Sequence, residues 1–121
     1  MKKGLVFCVC ALALPVSASE PLTMRVSPAV SFAPAQITVR TVVEIDAANR
    51  ALEIVAQSAD FYRRSSIELD GERASRLNVF ELKNLPSGTY EVTSILVGAE
   101  GPRATVSRRF RVAAAAGSSS R

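Results

Sequence analysis

Two segments that read as β-strands with a side-chain period of two place the strongest constraint on the fold. Ile37–Ile45 reads ITVRTVVEI and Tyr90–Val97 reads YEVTSILV, and both are rich in β-branched residues. A period of two sends successive side chains to opposite faces of a strand, so one face can be buried while the other meets water. We therefore expect both segments to be half-buried β-strands.

Turn residues divide the rest of the chain into pieces of similar length. Asp70-Gly71 is predicted to close a β-hairpin, and the segment from Leu85 to Gly88 is predicted to be a turn. A leading stretch with Val26, Val30 and Phe32 is interrupted by prolines, which are tolerated at sheet edges, so it is predicted as an edge strand. Further short strands are predicted at Ser65–Leu69, Leu77–Leu82 (with a bulge at Val79-Phe80) and Arg103–Val112.

One segment, Ala51–Ser58, fits two interpretations. Leu52, Ile54 and Ala56 share one face of a strand, whereas its alanine content and a helical spacing of apolar residues favour a helix capped by Asp46. Strand neighbours, and turn residues before it that suit a hairpin, favour the strand. The whole pattern then has about seven short strands and predicts an all-β fold, an antiparallel two-sheet β-sandwich.

The first part of the chain has the layout of a secretory signal peptide. Lys2 and Lys3 precede the uncharged run GLVFCVCALAL, and Pro15 and a small-residue cleavage pattern follow it. The run is shorter than the ~20 apolar residues that a membrane-spanning helix needs. We expect residues 1–18 to be removed, residues 19–112 to form the sandwich, and residues 113–121 to be a disordered tail.

Removal of that segment changes the charge and the redox chemistry of the chain. Net charge falls from +4 to +2, and Cys8 and Cys10 leave with the signal peptide. The exported chain would therefore have no disulfide, and its stability would come from its hydrophobic core. A charge this small, without interleaved aromatics, disfavours nucleic acid as a partner.

The segment LKNLPSGTYEV, Leu82–Val92, is the most specific pattern in the chain. It resembles the tyrosine corner of immunoglobulin-like and fibronectin type III-like sandwiches, in which a tyrosine hydrogen-bonds back to the preceding turn. The resemblance implies that Tyr90 is that tyrosine, Leu85 the apolar plug and Gly88 the residue with a positive φ. The same pattern resembles bacterial prealbumin-like domains, but the Lys–Asn bond of that family does not fit, since Lys83 is the one lysine after residue 18.

No catalytic set is recognisable in the sequence. With no His in the chain, a Ser nucleophile would need Lys83 or a carboxylate as its base. Lys83 falls in a predicted surface turn, and the nearest pair of carboxylates, Asp70 and Glu72, flanks a turn glycine. No calcium-loop spacing and no glycine-rich phosphate loop occur. We therefore expect no enzymatic activity, no metal and no cofactor.

Two groups of residues are candidates for binding a partner, because Tyr and Arg are enriched at interface centres. The first group lies in a predicted connection and consists of Phe61, Tyr62, Arg63 and Arg64. The second group lies on one face of the last strand and consists of Arg109 and Arg111. In the alternative interpretation, an aromatic of the first group fills the end of the core. Arg63 and Arg64 are then solvated. For the second group, the alternative is that Arg109 and Arg111 discourage strand-to-strand aggregation as cationic edge residues.

These observations predict an exported protein-interaction or structural module of the bacterial envelope, periplasmic or extracellular, with an envelope protein as partner. The alternative is a carbohydrate-binding or accessory domain of an envelope enzyme complex. Its aromatic platform would come from Phe61, Tyr62 or Phe80, and the absence of Trp disfavours it.

Overall fold

The computed structural model describes residues 20–114, most of which lie in β-strands. The eight strands are Leu22–Ser27 (β1), Val30–Phe32 (β2), Ala35–Val43 (β3), Asn49–Ser58 (β4), Phe61–Glu68 (β5), Leu77–Leu85 (β6), Gly88–Gly98 (β7) and Gly101–Ala113 (β8). A single 3₁₀ turn, Gly71–Arg73, interrupts the connection between β5 and β6. None of the described residues belongs to a helix long and apolar enough to cross a membrane.

The strands form two sheets, as the sequence predicts. One sheet has three strands in the order β1-β3-β6, and the other has five in the order β2-β8-β7-β4-β5. All neighbours are antiparallel except β2, which runs parallel to β8. The described region has eight strands rather than about seven because the proline-spaced leader makes two edge strands, one in each sheet.

Alternation places the core between the sheets. In β3, Ile37, Val39 and Val43 are buried while Arg40 and Val42 point outward, so the segment is a half-buried strand as predicted, but β3 ends at Val43 and Ile45 is 51% exposed. The central cluster includes Tyr90, which stacks on Phe110 with ring centroids 4.8 Å apart and an interplanar angle of 4°. A second cluster, with Leu22, Val43, Leu52, Leu69 and Leu96, fills the other end of the sandwich.

The ambiguous segment is a strand, β4, and it is central in the five-stranded sheet. It pairs with β5 on one side and β7 on the other, and Leu52, Ile54 and Ala56 point into the core. The turn before it does not close a hairpin, because β3 and β4 belong to different sheets. Asp46 instead accepts a hydrogen bond from the Ala48 amide at 2.8 Å, which stabilises a turn between the two sheets.

Three local predictions are wrong. The bulge lies at Lys83-Asn84 rather than at Val79-Phe80. The side chains of Lys83 and Asn84 are exposed, the register between β3 and β6 shifts beside them, and Asn84 has a φ of 58°. Asp70-Gly71 does not close a hairpin but begins the crossover from β5 to β6. The strand predicted from Ser65 begins at Phe61 and ends at Glu68.

Several predictions concern residues outside the described part of the chain. The proposed signal peptide, with Cys8 and Cys10, lies there, and so do residues 115–121 of the predicted tail. The start of that tail differs from the prediction, because Ala113 pairs with Phe32 as the last residue of β8.

Candidate interaction surface

The outer face of the five-stranded sheet brings together residues from both predicted patches. Strand pairing aligns Tyr62 (β5), Gln57 (β4), Glu91 (β7) and Arg109 (β8) in one line across the sheet. Adjacent strands lie about 4.8 Å apart, so this line spans roughly 14 Å. Tyr62 is 61% exposed, and the face is open to a partner.

The next lines of the same face add two more of the predicted arginines. Arg64 lies two residues from Tyr62 along β5, and Arg111 lies two residues from Arg109 along β8. Because side chains alternate along a strand, all four residues project to the same side of the sheet. The structure therefore unites groups that the sequence places in two separate regions.

The other two residues of the first patch point the opposite way. Phe61 is half-buried and packs edge-on against Tyr90, with ring centroids 5.5 Å apart. The guanidinium of Arg63 lies 5.2 Å from the centroid of the Phe61 ring, a cation–π distance. The patch is not a connection: it is the first half of edge strand β5, so its members divide between two faces.

Arg64 is held on the outer face by its neighbours. Its guanidinium donates to the Glu53 carboxylate at 2.7 Å. Hydrogen bonding with Tyr62, followed by the charge of Glu53, raises the pKa of Arg64 above its ordinary value. The arginine is therefore cationic at every physiological pH, and it lies beside an exposed aromatic ring.

The corner that precedes β7 has the geometry implied by the resemblance to immunoglobulin-like sandwiches. The Tyr90 hydroxyl donates a hydrogen bond to the Pro86 carbonyl at 2.6 Å. Leu85 is fully buried, and Gly88 has a φ of 154°. Tyr90 is itself fully buried, and this burial raises the pKa of its hydroxyl, with a partial offset from Ser58.

The sequence analysis did not predict a group of three arginines beside the three-stranded sheet. Arg25 and Arg40 face each other across β1 and β3, and Arg108 lines the same cleft from β8. Arg25 and Arg40 occupy outward positions of alternating segments, but sequence alternation does not reveal which strands become neighbours. Only the pairing of β1 with β3 brings these two residues together.

The described residues contain no group of three or more His, Cys, Asp or Glu side chains that could hold a metal ion. Asp70 immediately precedes the 3₁₀ turn, and Glu72 lies within the turn beside Arg73. Lys83 is exposed at the bulge of β6. Asp70 and Glu72 line one pocket together with Arg50 and Arg73, whereas Lys83 is not part of its lining.

No known family model matches the sequence, and no curated protein does. Solved structures do match the fold. The fold is similar to that of superoxide reductase. The structure of superoxide reductase (neelaredoxin) from Ignicoccus hospitalis superposes with a TM-score of 0.58 at 16% identity, over 77% of this chain and 80% of that one.

Two other solved structures share the architecture. A family 76 glycoside hydrolase from a bovine Bacteroides thetaiotaomicron strain matches over 75% of this chain and 20% of its own, with 20% identity and a TM-score of 0.53. A structure described as a myokine matches over 80% of this chain and 99% of its own, with 18% identity and a TM-score of 0.51. At these identities, the comparisons establish the fold.

The comparison contradicts the expectation that this chain is not an enzyme, because proteins that are enzymes share its fold. The absence of a recognisable catalytic set does not exclude an enzyme, because one fold can carry chemistry of many kinds. The residues do not fit a redox centre of the usual kind: one-electron chemistry uses a group held by side chains such as His and Cys. Residues 20–114 include neither.

Proposed function

We propose that this chain is an exported protein-interaction module of the bacterial envelope, which binds a partner protein through the outer face of its five-stranded sheet. The observation that carries the proposal is the convergence of Tyr62, Arg64, Arg109 and Arg111 on that face. Export rests on the basic start, apolar run and cleavage pattern of residues 1–18.

The chemistry of the face favours a protein partner with acidic groups. Tyr and Arg are the residue types that contribute most at interface centres, since both combine a flat apolar surface with hydrogen-bond donors. Glu53 and Glu91 lie between the arginines, so the face is mixed in charge rather than uniformly basic. A mixed face selects a partner by the arrangement of its charges more than by total charge.

We also propose that the sandwich is of the immunoglobulin-like type. In the strand lettering of the immunoglobulin fold, β1, β3 and β6 of the three-stranded sheet would correspond to A, B and E. Strands β8, β7, β4 and β5 would correspond to G, F, C and C′. The hydrogen bond from Tyr90 to Pro86 supports this assignment, because it lies at the corner between E and F where such folds have it.

The test of the interaction is site-specific photocrosslinking in cells that express the whole sequence. A photoreactive residue at Arg109 or Tyr62 is expected to trap one partner protein, and the same residue at Glu81, on the other sheet, is not. Purified partner should then bind the wild-type protein, and Arg109→Glu should weaken binding at least about tenfold, as expected for reversal of a contact charge.

Two results would overturn the proposal. One is equal crosslinking from Glu81 and from the positions on the five-stranded sheet. The other is unchanged affinity for the purified partner after Arg109→Glu combined with Tyr62→Ala. Salt dependence of the wild-type affinity is a separate measure of the ionic part of the contact.

The match to one part of a glycoside hydrolase favours a second candidate, an accessory or carbohydrate-binding domain of a glycan-processing complex. The exposed ring available for sugar stacking on this face is Tyr62, because Phe61 packs on the core. A glycan array separates the candidates: saturable glycan binding that Tyr62→Ala abolishes favours the accessory domain. An array without signal removes it.

A further inference from the structure

A cleft at the open side of the three-stranded sheet is lined mainly by arginine and apolar side chains. Its volume is about 580 Å³, within the usual size range of small-molecule sites. The lining residues come from β1, β3, β6 and β8: Thr23, Met24, Arg25, Arg40, Val42, Leu77 and Arg108. This cleft is separate from the face proposed for the protein partner, which belongs to the other sheet.

The positive charge of this cleft is uncompensated within the described residues. Arg25, Arg40 and Arg108 form no ion pair with any other of residues 20–114. The carboxylate nearest in the strand register is that of Glu81, which lies diagonally from Arg40 and accepts a hydrogen bond from Gln36 at 2.8 Å. No Asp or Glu lines the cleft.

The arrangement of two of these arginines is unfavourable by itself. Arg25 and Arg40 are direct partners in the antiparallel pairing of β1 with β3, and both side chains point outward. Like charges directly opposite on a sheet destabilise it, and their Cβ atoms lie only about 5 Å apart. An anion between the two guanidinium groups would remove that repulsion.

Apolar side chains lie directly beside this charge. Val42 and Leu77 are cross-strand partners, exposed by 39% and 48%, and Val79 is the partner of Arg40. A ligand that satisfies the whole cleft therefore combines an anionic head with an apolar part. Guanidinium groups match oxyanions with several acceptor oxygens, and a phosphate monoester offers three oxygens and nearly two charges.

We propose that this cleft binds the phosphate group of a monoester whose organic part is apolar. The phosphate lies between Arg25, Arg40 and Arg108, and the apolar part lies on Val42 and Leu77. The ligand is either a lipid that carries a terminal phosphate or a soluble ester, since the recognising chemistry is the same.

Calorimetric titration with hexyl phosphate tests the site, with protein purified from cells that express the whole sequence. We expect saturable binding that Arg40→Gln weakens at least about tenfold, as for loss of a charge-assisted hydrogen bond. Arg73→Gln is the matched control: it removes the same charge from an exposed residue on the 3₁₀ turn and should leave the affinity unchanged. Thermal melting of each variant checks that it is folded.

Two comparison ligands separate the parts of the proposal. Hexanoate has a similar tail with a carboxylate head, and inorganic phosphate has the head without the tail, so both should bind more weakly than hexyl phosphate. Equal binding of hexanoate would overturn the phosphate assignment, and equal binding of inorganic phosphate would overturn the apolar part. No saturable binding of hexyl phosphate, or an equal loss in Arg73→Gln, would overturn the site itself.

Vesicles identify the source of the ligand. Co-sedimentation with phosphatidylcholine vesicles that contain phosphatidic acid, but not with phosphatidylcholine alone, assigns a lipid phosphate. Binding of hexyl phosphate without co-sedimentation assigns a soluble ester. These outcomes are independent of the protein partner, because neither Arg109 nor Tyr62 lines the cleft.

Discussion

At the scale of single residues, Tyr90 connects the local corner to the global core. Its ring stacks on Phe110 between the sheets, while its hydroxyl donates to the Pro86 carbonyl four residues earlier. A buried hydroxyl without a partner is costly, so one hydrogen bond makes burial of this large side chain favourable. This corner lies at the start of β7, which begins at Gly88.

Tyr90→Phe removes the hydroxyl and keeps the ring. We expect a loss of about 1–3 kcal/mol in the free energy of unfolding, because the Pro86 carbonyl loses its donor in a partly buried site. Urea denaturation measures it. Tyr62→Phe is the control, since that hydroxyl is on an exposed side chain, and it should change stability by less than about 0.5 kcal/mol. Equal stability of Tyr90→Phe and wild type would contradict the assigned role.

The same hydroxyl predicts a loss of stability in alkali. Burial raises the pKa of Tyr90 in the folded protein, so the folded state retains a proton that the unfolded chain releases near pH ~10. Its contribution to stability is complete below the unfolded pKa and is lost as pH rises toward the folded pKa. Denaturation at increasing pH should show a smaller alkaline loss in Tyr90→Phe than in Tyr62→Phe. Identical slopes would argue against this titration.

Ser94 is a residue at which the core is not optimised. Its side chain is fully buried in β7, and its hydroxyl has no hydrogen-bond partner among the described residues. Ser94→Ala removes the unpaired polar atom without creating a large cavity, so we expect stability to rise by about 1 kcal/mol. Differential scanning calorimetry measures the change. A lower melting temperature would mean that the hydroxyl is hydrogen-bonded in solution.

At the scale of elements, strand pairing determines which charges meet. The pairing of β4 with β5 places Arg64 beside Glu53, whereas the pairing of β1 with β3 places Arg25 opposite Arg40. The first contact is favourable and the second is unfavourable. An unfavourable pair on an otherwise regular sheet is the kind of local cost that binding sites carry.

Arg25→Glu converts the repulsive pair into an attractive one. We expect a gain of about 0.2–1 kcal/mol in the free energy of unfolding at low ionic strength, and a smaller gain at high salt. Arg25→Gln, which removes the repulsion without adding attraction, should give an intermediate value. Chemical denaturation at two salt concentrations measures both. A loss of stability in both variants would contradict the repulsion.

At the scale of the whole molecule, the two sheets are held together by one continuous apolar layer. The central cluster draws residues from both sheets, including Ile37 and Leu82 from one and Ile54 and Phe110 from the other. Residues 20–114 have no cysteine, so within the described region this layer replaces disulfides. Separation of the sheets and unfolding should therefore be one event.

Phe110→Ala removes the centre of that layer. We expect a loss of about 3–5 kcal/mol, a large part of the stability of a domain this size, with a single cooperative transition. Phe32→Ala is the control, since Phe32 is 60% exposed. For each variant, the melting curves from far-ultraviolet and near-ultraviolet circular dichroism should coincide. Separate transitions, or a loss below about 1 kcal/mol, would show that the sheets are not held by this contact.

The sequence by itself determined the class of the fold, because period-two alternation depends only on the residues of each strand. It located the corner at Tyr90, since that turn is local. The sequence did not show that the connections from β3 to β4 and from β5 to β6 cross between the sheets, because the same residue types favour a hairpin turn and a crossover turn. It also misplaced the bulge, which depends on pairing with β3.

Only the tertiary structure decided which surface residues become neighbours. Tyr62 and Arg109 lie far apart in the chain, and three intervening strand pairings place them on one line of one face. Arg25, Arg40 and Arg108 converge on one cleft because the edge of one sheet lies against a strand of the other. Side-chain alternation is a local property, whereas strand order is set by burial of the whole core, and both proposed sites depend on strand order.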